Sequence, residues 1–243
     1  MKLRRALPIA TLLPLLLTLS ACGGESKNSG EGDQKTRAST QSTAAGAEGK
    51  AEAEAKRIGA VGPKALEKAA LTGQRNGFMA KKVAKAQVEA GRDMKADKAE
   101  CQPLASLAGG YTHLPAVSVE HRSLDAVDAK NATVGSMWLA SHSEKDARRV
   151  MADLRNSLKE CPKGFKTLGL TYTDIQSVAA PKLGEEAVGY RITSVVGDQK
   201  VPMTYTVVRD GGVIAAFYGV NMLTPKNSAI PEAVVKAQLD QLG

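Results

Sequence analysis

The stretch EEAVGYRITSVVGDQKVPMTYTVVRDGGVIAAFYGV, Glu185–Val220, decides the fold. It holds three strand-like runs, Glu185–Val196, Val201–Arg209 and Gly212–Val220, rich in β-branched and aromatic residues. Gly197-Asp198 and Asp210-Gly211-Gly212 separate them, which is hairpin chemistry, so the three runs are expected to form an antiparallel meander. A further run, Thr167–Ala180, precedes them across the turn signal Pro181–Gly184.

Upstream lies the clearest helix. Ser143 to Asp146 has capping-box spacing, and Ala147, Val150, Met151, Leu154, Leu158 and Cys161 fall on one stripe before Pro162 and Gly164 end it. Before it, Pro115–Ser123 and Ala132–His142 read as strands. Ala96–Gly110 reads as a short helix carrying Cys101, with Pro103 in its first turn and Gly109-Gly110 closing it. A strand is expected at the start of Phe78–Ala90, and a last helix begins at Pro231 and carries Val234, Val235, Ala237, Gln238 and Leu239. Strands in runs with helices between and after them define an α+β domain, a mostly antiparallel sheet flanked by helices.

The other end of the chain is built differently. Lys2, Arg4 and Arg5 precede an apolar run, Ala6–Leu19, which stops at Ser20-Ala21-Cys22; this is the layout of an export signal. About 14 apolar residues fall short of the roughly 20 that span a bilayer, and Pro8 and Pro14 weaken the run further. Leu19-Ser20-Ala21-Cys22 resembles the lipobox of bacterial lipoproteins, in which the cysteine is acylated and becomes the mature amino terminus. The resemblance implies a lipid anchor at Cys22, with palmitate-type chains, on the extracytoplasmic face of the cell membrane; two chains hold where one is marginal. An ordinary signal peptide with a free Cys22 is the alternative, and Arg4-Arg5 leaves Sec and twin-arginine export both open.

These features divide the chain into a signal peptide (1–21), a flexible polar tether (22–57) and a globular extracytoplasmic domain (58–243) with its core from about residue 75. The tether contains no aromatic residue, and its composition cannot offset its ordering entropy. Its reach is about 30–35 Å. With Cys22 assigned to lipid, Cys101 and Cys161 remain as an even pair in an oxidising compartment, where a disulfide is the expected state. A metal site would need further ligands, and zinc-type Cys-His spacing is absent.

Formal net charge is +8, of which Lys2, Arg4 and Arg5 leave with the signal. The charge is dispersed, and nine aromatics are not interleaved with the basic residues, so nucleic acid is not an expected partner. His113, His121 and His142 are isolated, no nucleophile elbow or phosphate loop occurs, and neither a cofactor nor a metal is expected. Glu185 and Glu186 read as polar residues opening a strand. Trp138, Tyr172, Tyr190, Tyr205 and Tyr218 are either the aromatic wall of a ligand groove or core filling. Arg191 and Thr193 suggest a sheet face that is polar and open.

Glu100–Gly110, Ala147–Phe165 and Leu183–Ile192, in that order, are similar to the PknH-like extracellular sensor domain of actinobacterial receptor kinases and lipoproteins. The resemblance spans about residues 77–243. It implies a helix-flanked sheet, a Cys101–Cys161 bridge and a cleft for an extracellular ligand; the second disulfide that members often carry has no cysteines here. No kinase segment accompanies it, so sensing would run through a partner protein. The expected function is a lipid-anchored, non-enzymatic, sensor-like domain. Its partners would be the membrane and a small molecule, an envelope glycan or lipid, or a partner membrane protein. A scaffolding lipoprotein and a small envelope hydrolase are the alternatives. Replacing Cys22 by Ser should move the protein from the membrane fraction to the soluble one without changing its circular dichroism; continued membrane retention contradicts the anchor.

Overall fold

The computed structural model describes residues 32–243, with side chains from residue 45 onward. The signal peptide and Cys22 lie outside the described residues. The compact unit is Thr43–Gly243. In chain order the helices are α1 (Gly32–Ile58), α2 (Pro63–Ala69), α3 (Lys85–Val88), α4 (Gln102–Ala108), α5 (Glu144–Glu160) and α6 (Glu232–Leu239). The strands are β1 (Gly73–Arg75), β2 (Phe78–Lys82), β3 (Ser118–Ala126), β4 (Thr133–Ser141), β5 (Phe165–Thr167), β6 (Leu170–Val178), β7 (Glu186–Val196), β8 (Gln199–Asp210) and β9 (Val213–Asn221).

All nine strands form one antiparallel sheet in the order β1-β2-β3-β4-β9-β8-β7-β6-β5. It consists of two meanders joined through the β4–β9 ladder, and α5 crosses a face of the sheet between them. The expected α+β class holds, and the β7–β8–β9 meander forms with Gly197-Asp198 and Gly211-Gly212 as its two-residue loops. The run Thr167–Ala180 is a hairpin rather than one strand. Thr167 pairs with Leu170 across Leu168-Gly169, both at positive φ (47° and 77°), the backbone a two-residue hairpin loop needs.

Each face of the sheet buries its own core. Trp138, Tyr205, Val207 and Ile214 pack under α4 and α5, against Leu104, Val150, Met151 and Leu154. Met137, Leu139, Phe217 and Val208 pack under α2 and α6, against Leu66, Val234 and Val235. Burial on both sides explains why β9 reads as a nearly continuous apolar run instead of alternating. The polar face expected at Arg191 and Thr193 is open only at Arg191, which is exposed, while the segment after β9 reaches back toward it. Arg191 donates to the Lys226 carbonyl at 3.1 Å, the Thr204 and Ser228 hydroxyls bond at 2.7 Å, and Thr193 is buried.

Helix α5 begins as its sequence dictates, with the Asp146 N–H donating to Ser143 Oγ at 3.2 Å. It buries Ala147, Val150, Met151, Leu154 and Ser157, and leaves Leu158 half-exposed. Its end is pinned to the start of α4 by the Cys101–Cys161 disulfide, with Cα atoms 5.6 Å apart. Gln238 of α6 holds the end of α2 from the other face, accepting from the Leu71 N–H and donating to the Ala69 carbonyl, each at 2.8 Å.

The amino-terminal boundary differs from expectation. Part of the segment read as tether is helical, from Gly32 to Ile58, and Ala55 is buried where that helix meets the folded unit. The Lys64 N–H donates to Glu52 Oε1 at 2.9 Å across the turn that follows. Contact, not helix propensity, supplies what a solitary helix of this composition lacks. The core likewise starts before residue 75, since Leu66, Ala70 and Leu71 are buried. Among the described residues no helix is long and apolar enough to cross a membrane.

The disulfide closes a separation of 60 residues, for which chain entropy gives about 4 kcal/mol of stabilisation. Reduction should therefore lower the thermal midpoint by several degrees, and free thiols in the native protein by mass spectrometry would remove the staple.

Candidate functional site

Strand β2 accompanies β3 only over Arg122–Ala126, the last pair being Lys82↔Arg122. The chain then turns into α3, which leaves the first part of β3 without a strand on that side. A groove of about 390 Å³ lies there, lined by Val117–His121 and walled by α1, Tyr111 and the segment Lys85–Arg92.

A backbone contact places the wall. A Cβ on Gly91 would lie 2.0 Å from the Gly109 carbonyl oxygen, and one on Gly109 would lie 2.1 Å from that of Gly91, so only two glycines permit this approach. It sets Arg92 over the Tyr111 ring, with the guanidinium carbon 4.7 Å from the centroid, a cation–π distance. Arg92 Nε also donates to Glu89 Oε1 at 2.7 Å. This hydrogen bond holds the Glu89 carboxyl below the usual range and raises Arg92. Burial pushes the Tyr111 phenol up.

The Tyr111 ring meets His121 edge-on at 5.1 Å. His121 Nε2 lies 2.7 Å from the Gly110 carbonyl, which can only accept, so Nε2 carries the proton and Nδ1 is the acceptor of the neutral ring. Burial depresses the His121 pKa and keeps the ring neutral. Beneath the groove, Arg122 is 1% exposed and ties β3 to α2. It donates to the Leu71 carbonyl at 2.9 Å, the Glu67 carbonyl at 3.2 Å and Glu120 Oε2 at 3.0 Å. The site therefore offers an aromatic wall, cations, a neutral imidazole acceptor and a strand edge. Glu89 remains ionised and committed to Arg92, so this arrangement suits binding better than proton transfer.

The remaining candidates fall elsewhere. Trp138, Tyr190 and Tyr205 are each 1% exposed and Tyr172 is buried, so the aromatic set is core filling, with only Tyr218 half-buried. Tyr190 and Tyr205 stack at 4.7 Å, and Trp138 meets Tyr205 at 6.4 Å. Trp138 Nε1 and the Tyr205 hydroxyl have no partner among the described residues. Glu185 and Glu186 both grip Arg209, because Glu185 precedes the strand and is freed from its alternation. Glu185 lies 2.6 Å from the guanidinium; Glu186 pairs with it too and reaches Arg155 at 2.5 Å. Burial raises the Glu186 pKa, but the two arginines outweigh it and the net shift is downward.

The histidines do not converge on a shared site. His113 Nε2 lies 2.9 Å from Asp153, and His142 is buried with Nε2 3.0 Å from Thr112 Oγ1. Among the described residues no group of three His, Cys, Asp or Glu is placed to hold a metal. In a second hollow, between Phe78 and Pro231, the Asn221 amide is already engaged: it donates to Thr133 and accepts from the Leu223 and Thr224 N–H groups. Sequence reasoning named His121 but missed Tyr111 and Arg92 as a site, because only Gly91 and Gly109 signal the contact that unites them.

No protein-family model matches this chain, and no curated protein matches it. Among solved structures it is similar to the extracellular domain of PknH from Mycobacterium tuberculosis, with a TM-score of 0.40 and 8% identity, over 75% of this chain and 95% of that one.

Burial of His142 pushes its pKa down to about 4. The unfolded chain, with an ordinary histidine, binds the proton first as pH falls, so stability is full above about pH 6.5 and is lost toward pH 4. The loss from this residue is about 3 kcal/mol. Denaturant midpoints across that window should decline in the wild type and decline less in His142→Asn; equal slopes contradict the assignment.

Proposed function

We propose that the chain is a lipid-anchored, extracytoplasmic ligand-binding domain, sensor-like and without catalysis of its own. The observation that carries this reading is the groove beside β3, whose aromatic and cationic wall is fixed by backbone contact and needs no rearrangement to receive a ligand. The disulfide supports an oxidising compartment, and the lipobox-like Leu19–Cys22 supports attachment to the outer face of the membrane through Cys22. The ligand would be a small molecule, an envelope glycan or lipid fragment, or part of a partner membrane protein, and a signal would pass through a partner.

One observation favours a scaffolding role as the second reading. Val134, Met222 and Leu223 are exposed by 52%, 55% and 76% at one end of the β4–β9 ladder, away from the groove. Native mass spectrometry of the full chain, gently extracted from its own envelope, separates the two. A bound species retained by the wild type and lost in Tyr111→Ala supports the groove. A bound species or partner retained by Tyr111→Ala and lost in Leu223→Asp supports the scaffold.

A further inference from the structure

We propose that the rim of β3 at Ser118–Glu120, where Val119 has no partner on the β2 side among the described residues, is a strand-addition site that takes a short extended peptide segment of a partner protein, laid in the lane that β2 leaves vacant. This rests on the ligand-binding reading and names the class of ligand.

Hydrogen-bond alternation fixes which groups point outward. The Val127 N–H donates to the Gly77 carbonyl at 2.9 Å, and the Val83 N–H donates to the His121 carbonyl at 3.4 Å. Odd-numbered residues of β3 therefore bond toward β2 and even-numbered ones toward β4. The same parity continues across the sheet, where the His142 N–H donates to the Gly212 carbonyl at 2.9 Å on the β9 side of β4. The N–H and C=O of Val119 thus face the open lane. The groove is lined by six consecutive residues, Ala116–His121. A cavity over one face of a sheet touches alternate residues; one that touches every residue runs along the edge.

The other free edges are blunted. β1 is three residues long. The outer edge of β5 is satisfied by Asp97, whose N–H donates to the Lys166 carbonyl at 3.0 Å and whose Oδ1 accepts from the Lys166 N–H at 2.8 Å. β6 is broken by a register shift between Thr173 and Gln176, with Asp174 at φ 55°. These are the devices by which sheets avoid pairing with other chains. The rim of β3 at Val119 has no strand partner among the described residues, and a recess walled by α1 and the segment Lys85–Arg92 lies beside it.

The recess also selects the occupant. With α1 on one side and Val88–Arg92 on the other, the recess of about 390 Å³ suits one short extended segment. Three residues of lane, at about 3.3 Å each, take a segment of roughly three residues. The residue opposite Val119 shares the face of Val119 and His121, beside Tyr111, which suits an apolar or aromatic side chain.

The test is selection of a random heptapeptide display library on the oxidised full chain, followed by measurement of one selected peptide. Strand addition predicts one critical peptide amide, that of the residue opposite Val119: N-methylation there abolishes binding, and methylation of its two neighbours leaves it unchanged. Val119→Pro removes the outward N–H without touching the β4 ladder and should weaken the peptide about tenfold, the loss of one such bond. Hydrogen exchange of the Val119 amide should slow on binding. If the proline variant misfolds, the methylation scan on the wild type decides alone. A selected peptide indifferent to methylation, or a library with no peptide that shifts the His121 ring resonances, overturns the proposal. In the second case, shifts of the same resonances by solubilised envelope glycan fragments leave the ligand-binding reading standing, and their absence too removes both.

Discussion

The β4–β9 ladder, from Thr133↔Asn221 to Ser141↔Val213, is the pairing on which the rest of the molecule depends. Without it the chain is two separate meanders, each with edges exposed and neither able to bury both faces. With it, Trp138 opposes Ala216 over one core and Met137 opposes Phe217 over the other, so one register fixes both layers of helices at once. A slip of one residue would exchange the two faces and place the residues that meet α5 against α6. The ladder is also non-local, and its loop-closure cost explains why a bridge between Cys101 and Cys161 is worth carrying: it limits the freedom of the half of the unfolded chain that must find β9.

Local patterns were legible where local physics decides. The stripe from Ala147 to Cys161, the cap at Ser143 and the glycine-bearing loops of the last meander all follow from neighbours within a few residues, and each stands where its sequence places it; the Cys101–Cys161 pair was legible from the cysteine count instead. Features set by distant partners were not. Arg191 and Thr193 read as one open polar face because nothing nearby in sequence covers them, yet only Arg191 stays exposed and Thr193 is buried. Leu168 gave no hairpin signal, since a leucine at positive φ is tolerated only where the flanking ladder over-determines it. The helix ending at Ile58 gains its last turns from contact with the folded unit, which composition does not encode.

The site was the least legible part for the same reason. Its groove exists because β2 is shorter than β3, a difference of register visible only once Lys82 has been paired with Arg122. Its wall exists because Gly91 and Gly109 touch, and two glycines 18 positions apart carry no mark of each other in sequence. The aromatic residues that were legible as a candidate wall, Trp138, Tyr190 and Tyr205, are those the sheet buries most deeply, because strand residues opposite a long amphipathic helix are core first.

Arg122 explains how an unfinished strand edge can be kept rigid. Pairing normally immobilises a strand, and the first part of β3 has a partner on one side only. Its opposite face is instead tied down by a guanidinium buried between β3 and the end of α2, held by two α2-side carbonyls and by Glu120. A buried arginine with this many acceptors is costly to move, since any shift of β3 would strand a desolvated charge. The edge is thereby preorganised. A segment arriving there orders itself but need not order the protein, which is the larger part of the entropic cost that binding by flexible edges incurs.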